Sequence, residues 1–138
     1  MGDPEVLRGR GRLRLLLDTH TLVWASDKRL GEEAREAIEA PANTIFVSAA
    51  TIWEIEIKRA LDKLRTVEDA VQLVDKSGFE RLTIDYEHAR EAGRLPLLHG
   101  DPFDRMLIAQ ARVEGLTLAT ADATIKRYDV PVFDVASV

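Results

Sequence analysis

An α/β domain with a mainly parallel sheet, covered by helices on both faces, is the fold class this sequence predicts. Three observations carry that expectation. Apolar runs of strand length alternate with helix-like segments almost throughout. The first run, Leu13–Leu17, is nearly continuous in apolar residues, as strands covered on both faces are. The 138 residues suffice for one real core, and neither an internal repeat nor a low-complexity tract divides them.

Each element has its own justification. Leu13–Leu17 reads as a buried strand ending at Asp18. Thr19–Ala25 reads as a short helix or turn. Glu32–Ala40 is helical, with Ala34, Ala37 and Ile38 inward and Glu33, Arg35, Glu36 and Glu39 solvated; Pro41 and Asn43 break it. Thr44–Val47 is the second strand. The next helix begins at Ser48 or Thr51 and runs to about Leu61. Its broad apolar set, Ile52, Trp53, Ile55, Ile57, Ala60 and Leu61, predicts burial. Val67, Ala70, Val71 and Val74 keep i, i+3, i+4, i+7 spacing, and Gly78 ends that helix.

Phe79–Ile84 is the third strand, and Asp85 caps a helix through about Gly93. Leu95–His99 is a loop. Pro102 suits the first helical position and Asp101 the N-cap of a helix running to about Glu114 and stopping at Gly115. The run Met106, Leu107, Ile108, Ala109, Ala111 predicts that this helix is buried. Leu116–Thr120 is the fourth strand, Asp122–Arg127 a short helix, and Val132–Asp134 a small last strand.

Composition narrows the function classes. Hydrophobic residues make up 46% and charged residues 31%, as in an ordinary soluble globular protein. With no cysteine, disulfides and thiolate metal sites are excluded. No apolar run approaches a membrane span, and the start lacks a secretory apolar segment, so a cytoplasmic location is expected. The net charge of −5 argues against a simple basic nucleic-acid-binding module. It leaves room for a nuclease, because divalent cations offset clustered carboxylates. Arg8, Arg10, Arg12 and Arg14 crowd the beginning, with Gly9 and Gly11 between them. Residues 1–12 are therefore expected to be a flexible basic tail, with residues 13–138 as the single domain.

Four carboxylates stand where an α/β sheet gathers its ligands, at the carboxyl ends of strands near the reversal of strand order. Asp18 ends the first strand and Asp122 follows the fourth. Glu54 lies one to two turns into the helix after the second strand, and Asp104 on the first turn of the helix before the fourth. If the first and fourth strands are neighbours, all four meet at one edge. Unpaired carboxylates so placed repel each other, and a hard divalent cation with oxygen ligands relieves them. Each acid also has a plain structural use. Asp18 can end a strand, Asp122 can cap a helix, Glu54 can pair with Lys58, and Asp104 can complement a helix dipole. Spacing alone does not choose between these readings.

Four blocks in order resemble a known family: Leu16-Leu-Asp-Thr-His-Thr-Leu-Val-Trp24, Ser48-Ala-Ala-Thr-Ile-Trp-Glu-Ile-Glu-Ile-Lys58, His99-Gly-Asp-Pro-Phe-Asp-Arg-Met-Leu-Ile-Ala-Gln-Ala111 and Leu118-Ala-Thr-Ala-Asp122. Over about Leu15 to Val135 the chain is similar to the PIN-domain family, most of all to its VapC-type toxins. The resemblance implies a three-layer α/β/α sandwich with a central sheet of about five strands. It implies a Mg2+- or Mn2+-dependent endoribonuclease, the toxin of a toxin–antitoxin pair, with RNA as substrate. It also implies a homodimer inhibited by a small VapB-type antitoxin. Asp18, Glu54, Asp104 and Asp122 match the family's acidic quartet, which is catalytic and holds the metal.

Neighbouring residues carry weaker expectations. Thr19 and Thr120 are candidates to orient a carboxylate or a water, Asp101 is chiefly a cap, and Lys58 and Arg105 are candidates for phosphate contacts or salt bridges. His20 and His99 are expected to pack or line substrate, His88 to be exposed, and Trp24 and Trp53 to serve the core. The nearest rival is a PIN-type nuclease working outside toxin–antitoxin biology. A phospho-acceptor domain of the response-regulator type fits poorly, since Asp18 is followed by Thr19-His20 and no lysine lies beyond Lys126.

Overall fold

The computed structural model describes residues 12–64 and 69–136. Its first strand, β1 (Arg14–Leu17), shows how one short run serves two cores. Leu15, Leu16 and Leu17 have no exposed surface, yet alternate side chains of a strand point to opposite faces. Leu15 and Leu17 join one apolar cluster and Leu16 joins the other. A strand buried on both faces must be flanked by strands on both edges and helices on both sides.

The chain supplies them in order: α1 (Thr19–Ser26), α2 (Glu32–Glu39), β2 (Thr44–Ser48), α3 (Ala49–Ala60), α4 (Ala70–Lys76), β3 (Glu80–Leu82), α5 (Tyr86–Arg94), α6 (Pro102–Glu114), β4 (Thr117–Thr120), a 3-10 turn (Ile125–Arg127) and β5 (Val132–Asp134). The five strands form one sheet of order β3-β2-β1-β4-β5, every pairing parallel. Ile45 and Val47 of β2 join Leu15 and Leu17 under α1–α4, while Phe46 and Leu118 join Leu16 under α5 and α6. The result is the expected three-layer α/β/α sandwich.

Helix boundaries follow local chemistry. Ser48, not Thr51, caps α3, its hydroxyl accepting from the Ala50 N–H at 3.0 Å. Asp69 caps α4, and Val67 of its expected pattern lies outside the described residues. Gly115 ends α6 in the left-handed region (φ 70°), which glycine enters without a Cβ penalty, and hands the chain to β4. Two elements are shorter than expected. β3, an edge strand, keeps only Glu80–Leu82 of Phe79–Ile84, and the segment after Asp122 is one 3-10 turn. The basic tail falls almost wholly outside the described residues. Among the described residues, no helix is long and apolar enough to cross a membrane.

Three expectations about burial are corrected. Trp53 is 63% exposed rather than in the core, because the apolar arc of α3 is wider than the face it turns inward; Leu61 is exposed with it. Ile55 alone of that set is fully covered. His88 is not exposed but 1% accessible. Its Nδ1 accepts from the Asp85 N–H at 3.1 Å, and its Nε2 meets Glu114 at 2.8 Å. It therefore completes the cap of α5 and ties that helix to α6.

Candidate active site

The order β2-β1-β4 places the reversal of strand order between β1 and β4, where the register pairs Leu17 with Ala119. Asp18 and Asp122 leave the sheet side by side there, as the sequence expectation required. Asp18 is buried and does two jobs. Its Oδ1 accepts from the Thr21 N–H at 2.9 Å, capping α1. Its Oδ2 accepts from the Thr120 hydroxyl at 2.5 Å, across 102 residues of sequence. Thr120 in turn accepts from the Asp122 N–H at 3.0 Å, so one hydroxyl couples the two strand ends.

Glu54 enters from α3. Burial of a carboxylate costs free energy unless it is paired. Here the Thr19 hydroxyl donates to Oε1 at 2.6 Å and the Lys58 ammonium lies 2.8 Å from Oε2. Lys58 is thus a salt-bridge partner on the rim of the site. Asp104 enters from the first turn of α6, which Asp101 caps through the Phe103 N–H at 2.8 Å. Asp122 arrives from β4, its Oδ1 accepting from the Thr124 and Ile125 N–H groups at 2.7 and 3.2 Å.

His99 stands among these acids. Its Nε2 is 2.9 Å from Asp104 Oδ2 and 3.4 Å from Asp122 Oδ2. The loop that carries it is fixed from outside. The Tyr128 hydroxyl donates to Pro96 O at 2.7 Å and accepts from the His99 N–H at 2.7 Å and the Leu98 N–H at 3.1 Å. Among the described residues, Arg105 makes no salt bridge. Its guanidinium donates to the carbonyls of Ala92, Leu95 and Pro96 at 2.8–3.1 Å and so staples the same loop.

The electrostatics match a site crowded with like charge. Burial, reinforced by the charges of Asp101 and Asp18, pushes the Asp104 carboxyl up to about 7, with Glu54 adding and His99 subtracting. Asp122 goes the other way. Burial opposes ionisation, but the Thr124 and Ile125 N–H groups and His99 outweigh it and hold Asp122 below its ordinary value. All four predicted acids thus reach one edge of the sheet. Asp18 and Asp122 serve as caps as well, as their plain structural reading expected. Asp101 remains a cap, and His20 lies exposed beside Trp24, their rings stacked with centroids 6.0 Å apart. The position of His99 and the anchoring by Tyr128 were missed in the sequence. His99 precedes the cap residue by two positions, but no spacing rule says which way its ring turns.

A model of the PIN domain matches residues 15–131. No protein with a curated description matches significantly. Among solved structures, the chain is similar to VapBC2 from Rickettsia felis bound to a promoter DNA fragment, with 21% identity, a TM-score of 0.67 and coverage of 88% of this chain and 98% of that one. It is similar to DNA-bound VapBC from Salmonella typhimurium at 22% identity and a TM-score of 0.66, covering 88% and 98%. It is also similar to FitAcB from Neisseria gonorrhoeae at 21% identity and a TM-score of 0.61, covering 90% and 99%. At identities this low the likeness establishes the fold.

Proposed function

We propose that this chain, which belongs to the PIN domain family, is a Mg2+- or Mn2+-dependent endoribonuclease that acts as the toxin of a toxin–antitoxin pair. One observation carries the catalytic part: Asp18, Glu54, Asp104 and Asp122 converge at the strand-order reversal, and Asp104 is held there against its own charge. The donor set suits a hard cation, since Asp104 and Asp122 bring carboxylate oxygens together beside His99 and the chain has no cysteine. Asp18, Asp104 and Asp122 would hold the ion, with Glu54 at its margin. When bound, such an ion activates water at neutral pH and stabilises charge on the phosphoryl oxygens.

The chain's own groups set the geometry. Thr120 orients Asp18 toward the site, and Thr19 with Lys58 fixes the place of the Glu54 carboxylate. Asp18 and Glu54 are buried and Asp104 is half-buried, so their charge acts at lowered dielectric. The test is cleavage of a structured RNA by purified protein with Mg2+, Mn2+ or EDTA. Cleavage that survives EDTA, or that Asp104→Asn leaves at the wild-type rate, defeats the assignment.

The partner follows from the VapBC and FitAcB likenesses and from the surface. Ile52, Trp53, Val71, Val74 and Leu82 line an apolar groove beside edge strand β3, with Trp53 packed edge-on against Phe103. A small antitoxin covering this groove would reach the acids with an arginine, whose planar fork binds carboxylates bidentately. A homodimer of the chain completes the reading, and the cytoplasm is its expected place. Titrating Mg2+ against the purified complex, with and without that arginine, tests the inhibition. Unchanged metal dependence after its removal assigns inhibition to another route.

A further inference from the structure

His99 has two ring nitrogens, and the structure accounts for both. Nδ1 accepts the Asp101 backbone N–H at 3.2 Å. A nitrogen that accepts a hydrogen bond carries no hydrogen, so the neutral ring bears it on Nε2. Nε2 is the atom that faces Asp104 Oδ2 and Asp122 Oδ2. An N–H has no lone pair to give a cation. His99 therefore differs in kind from the two acids, although its nitrogen and their oxygens lie within 4.8 Å of one another.

The acids keep their metal-binding capacity around it. Asp122 Oδ1 is occupied by the Thr124 and Ile125 N–H groups, which leaves Oδ2 with a second lone pair. Asp104 Oδ1 has no hydrogen bond among the described residues. Asp104 stands on α6 and Asp122 beyond β4, and His99 is the side chain that meets both. Its own place is set by Tyr128 on its backbone N–H and by Asp101 on its ring.

We propose that His99 is a positioning residue that holds Asp104 and Asp122 at ligand spacing by offering its Nε2–H between them, and that it is not itself a metal ligand. The proposal rests on the metal-site reading above. Hydrogen-bonded supports of ligating groups typically contribute ten- to a hundredfold to metal affinity. His99→Ala should therefore weaken Mn2+ binding about tenfold to a hundredfold. His99→Gln, whose amide N–H stands near the place of Nε2, should recover most of that loss.

The experiment is a Mn2+ titration of wild type, His99→Ala and His99→Gln, followed by electron paramagnetic resonance of free Mn2+. Pulsed measurement of nitrogen coupling to bound Mn2+ accompanies it, and circular dichroism confirms folding. Weakened binding in His99→Ala, recovery in His99→Gln and no histidine nitrogen coupling in wild type support the proposal. Equal or tighter binding by His99→Ala overturns it, as does a histidine nitrogen coupling in wild type that His99→Ala lacks. Wild type that binds no Mn2+ at the site overturns the metal-site reading itself, which separates the two failures.

Discussion

Replacing Asp104 with Asn should make the metal-free protein more stable at pH 8 while abolishing its proposed activity. The carboxyl titrates at about 7 in the folded chain, against an ordinary 3.8, because burial and the charges of Asp101 and Asp18 oppose its ionisation. A carboxyl with a raised folded pKa favours folding fully below pH 3.8, and that contribution is lost as pH rises to about 7. At about 1.4 kcal/mol per pH unit, the gap sets an upper limit of about 4 kcal/mol. Rearrangement of the half-open rim and entry of water reduce the expected gain to about 1–3 kcal/mol. Asn keeps the size and an acceptor for His99, so the comparison isolates the charge. The assay is urea unfolding of both proteins in EDTA at pH 5 and pH 8. The stability difference in favour of Asn should grow between those values, and saturating Mg2+ should reverse it by stabilising wild type alone. A variant equal to or weaker than wild type at pH 8, with no change from pH 5, refutes the claim that Asp104 is held against its charge.

Asp18→Asn should lower Mg2+-dependent RNA cleavage at least about tenfold to a hundredfold and still fold, since asparagine caps helices as well as aspartate; a gel-based cleavage assay with circular dichroism reads both. Substituting Asp18, Asp104 and Asp122 with Asn and Glu54 with Gln should abolish the rise in melting temperature with Mg2+ or Mn2+, and a persistent rise would put the ion elsewhere. Tyr128→Phe strands the Leu98 and His99 N–H groups and should cost about 1–3 kcal/mol in urea unfolding, with faster hydrogen exchange in residues 95–99. Trp53→Ala should change stability by less than about 1 kcal/mol, because the indole is mostly exposed, while weakening antitoxin binding measured by calorimetry.

Periodicity and punctuation made most of the fold legible. Leu13–Leu17 marked a two-sided strand, and Asp101-Pro102 with Gly115 framed α6 from cap to cap. Asp18, Asp104 and Asp122 were legible as positions at element ends and Glu54 as a position inside a helix, but only the β1–β4 pairing makes them neighbours, and no local pattern encodes which strands pair. Trp53 misled because an apolar arc does not declare how much of it a partner will cover. His88, on a polar helix, gave no sign that Glu114 would reach it from a neighbouring helix. Tyr128 and Arg105 support the site by gripping backbone carbonyls and N–H groups, which any sequence supplies, so their role appears only in three dimensions.

The hydrogen bond from Thr120 to Asp18 also sets a schedule. Its two ends are made 102 residues apart, and β4 is the strand that closes the centre of the sheet. At synthesis rates of about 5–20 residues per second, Asp18 exists for roughly 5–20 s before its partner is added. Within that interval Asp104, once made, has no fixed place relative to it, and Asp122 is added only after Thr120. An emerging chain therefore carries the proposed centre unassembled until β4 is made. Any premature stop before β4 yields a product without the proposed centre.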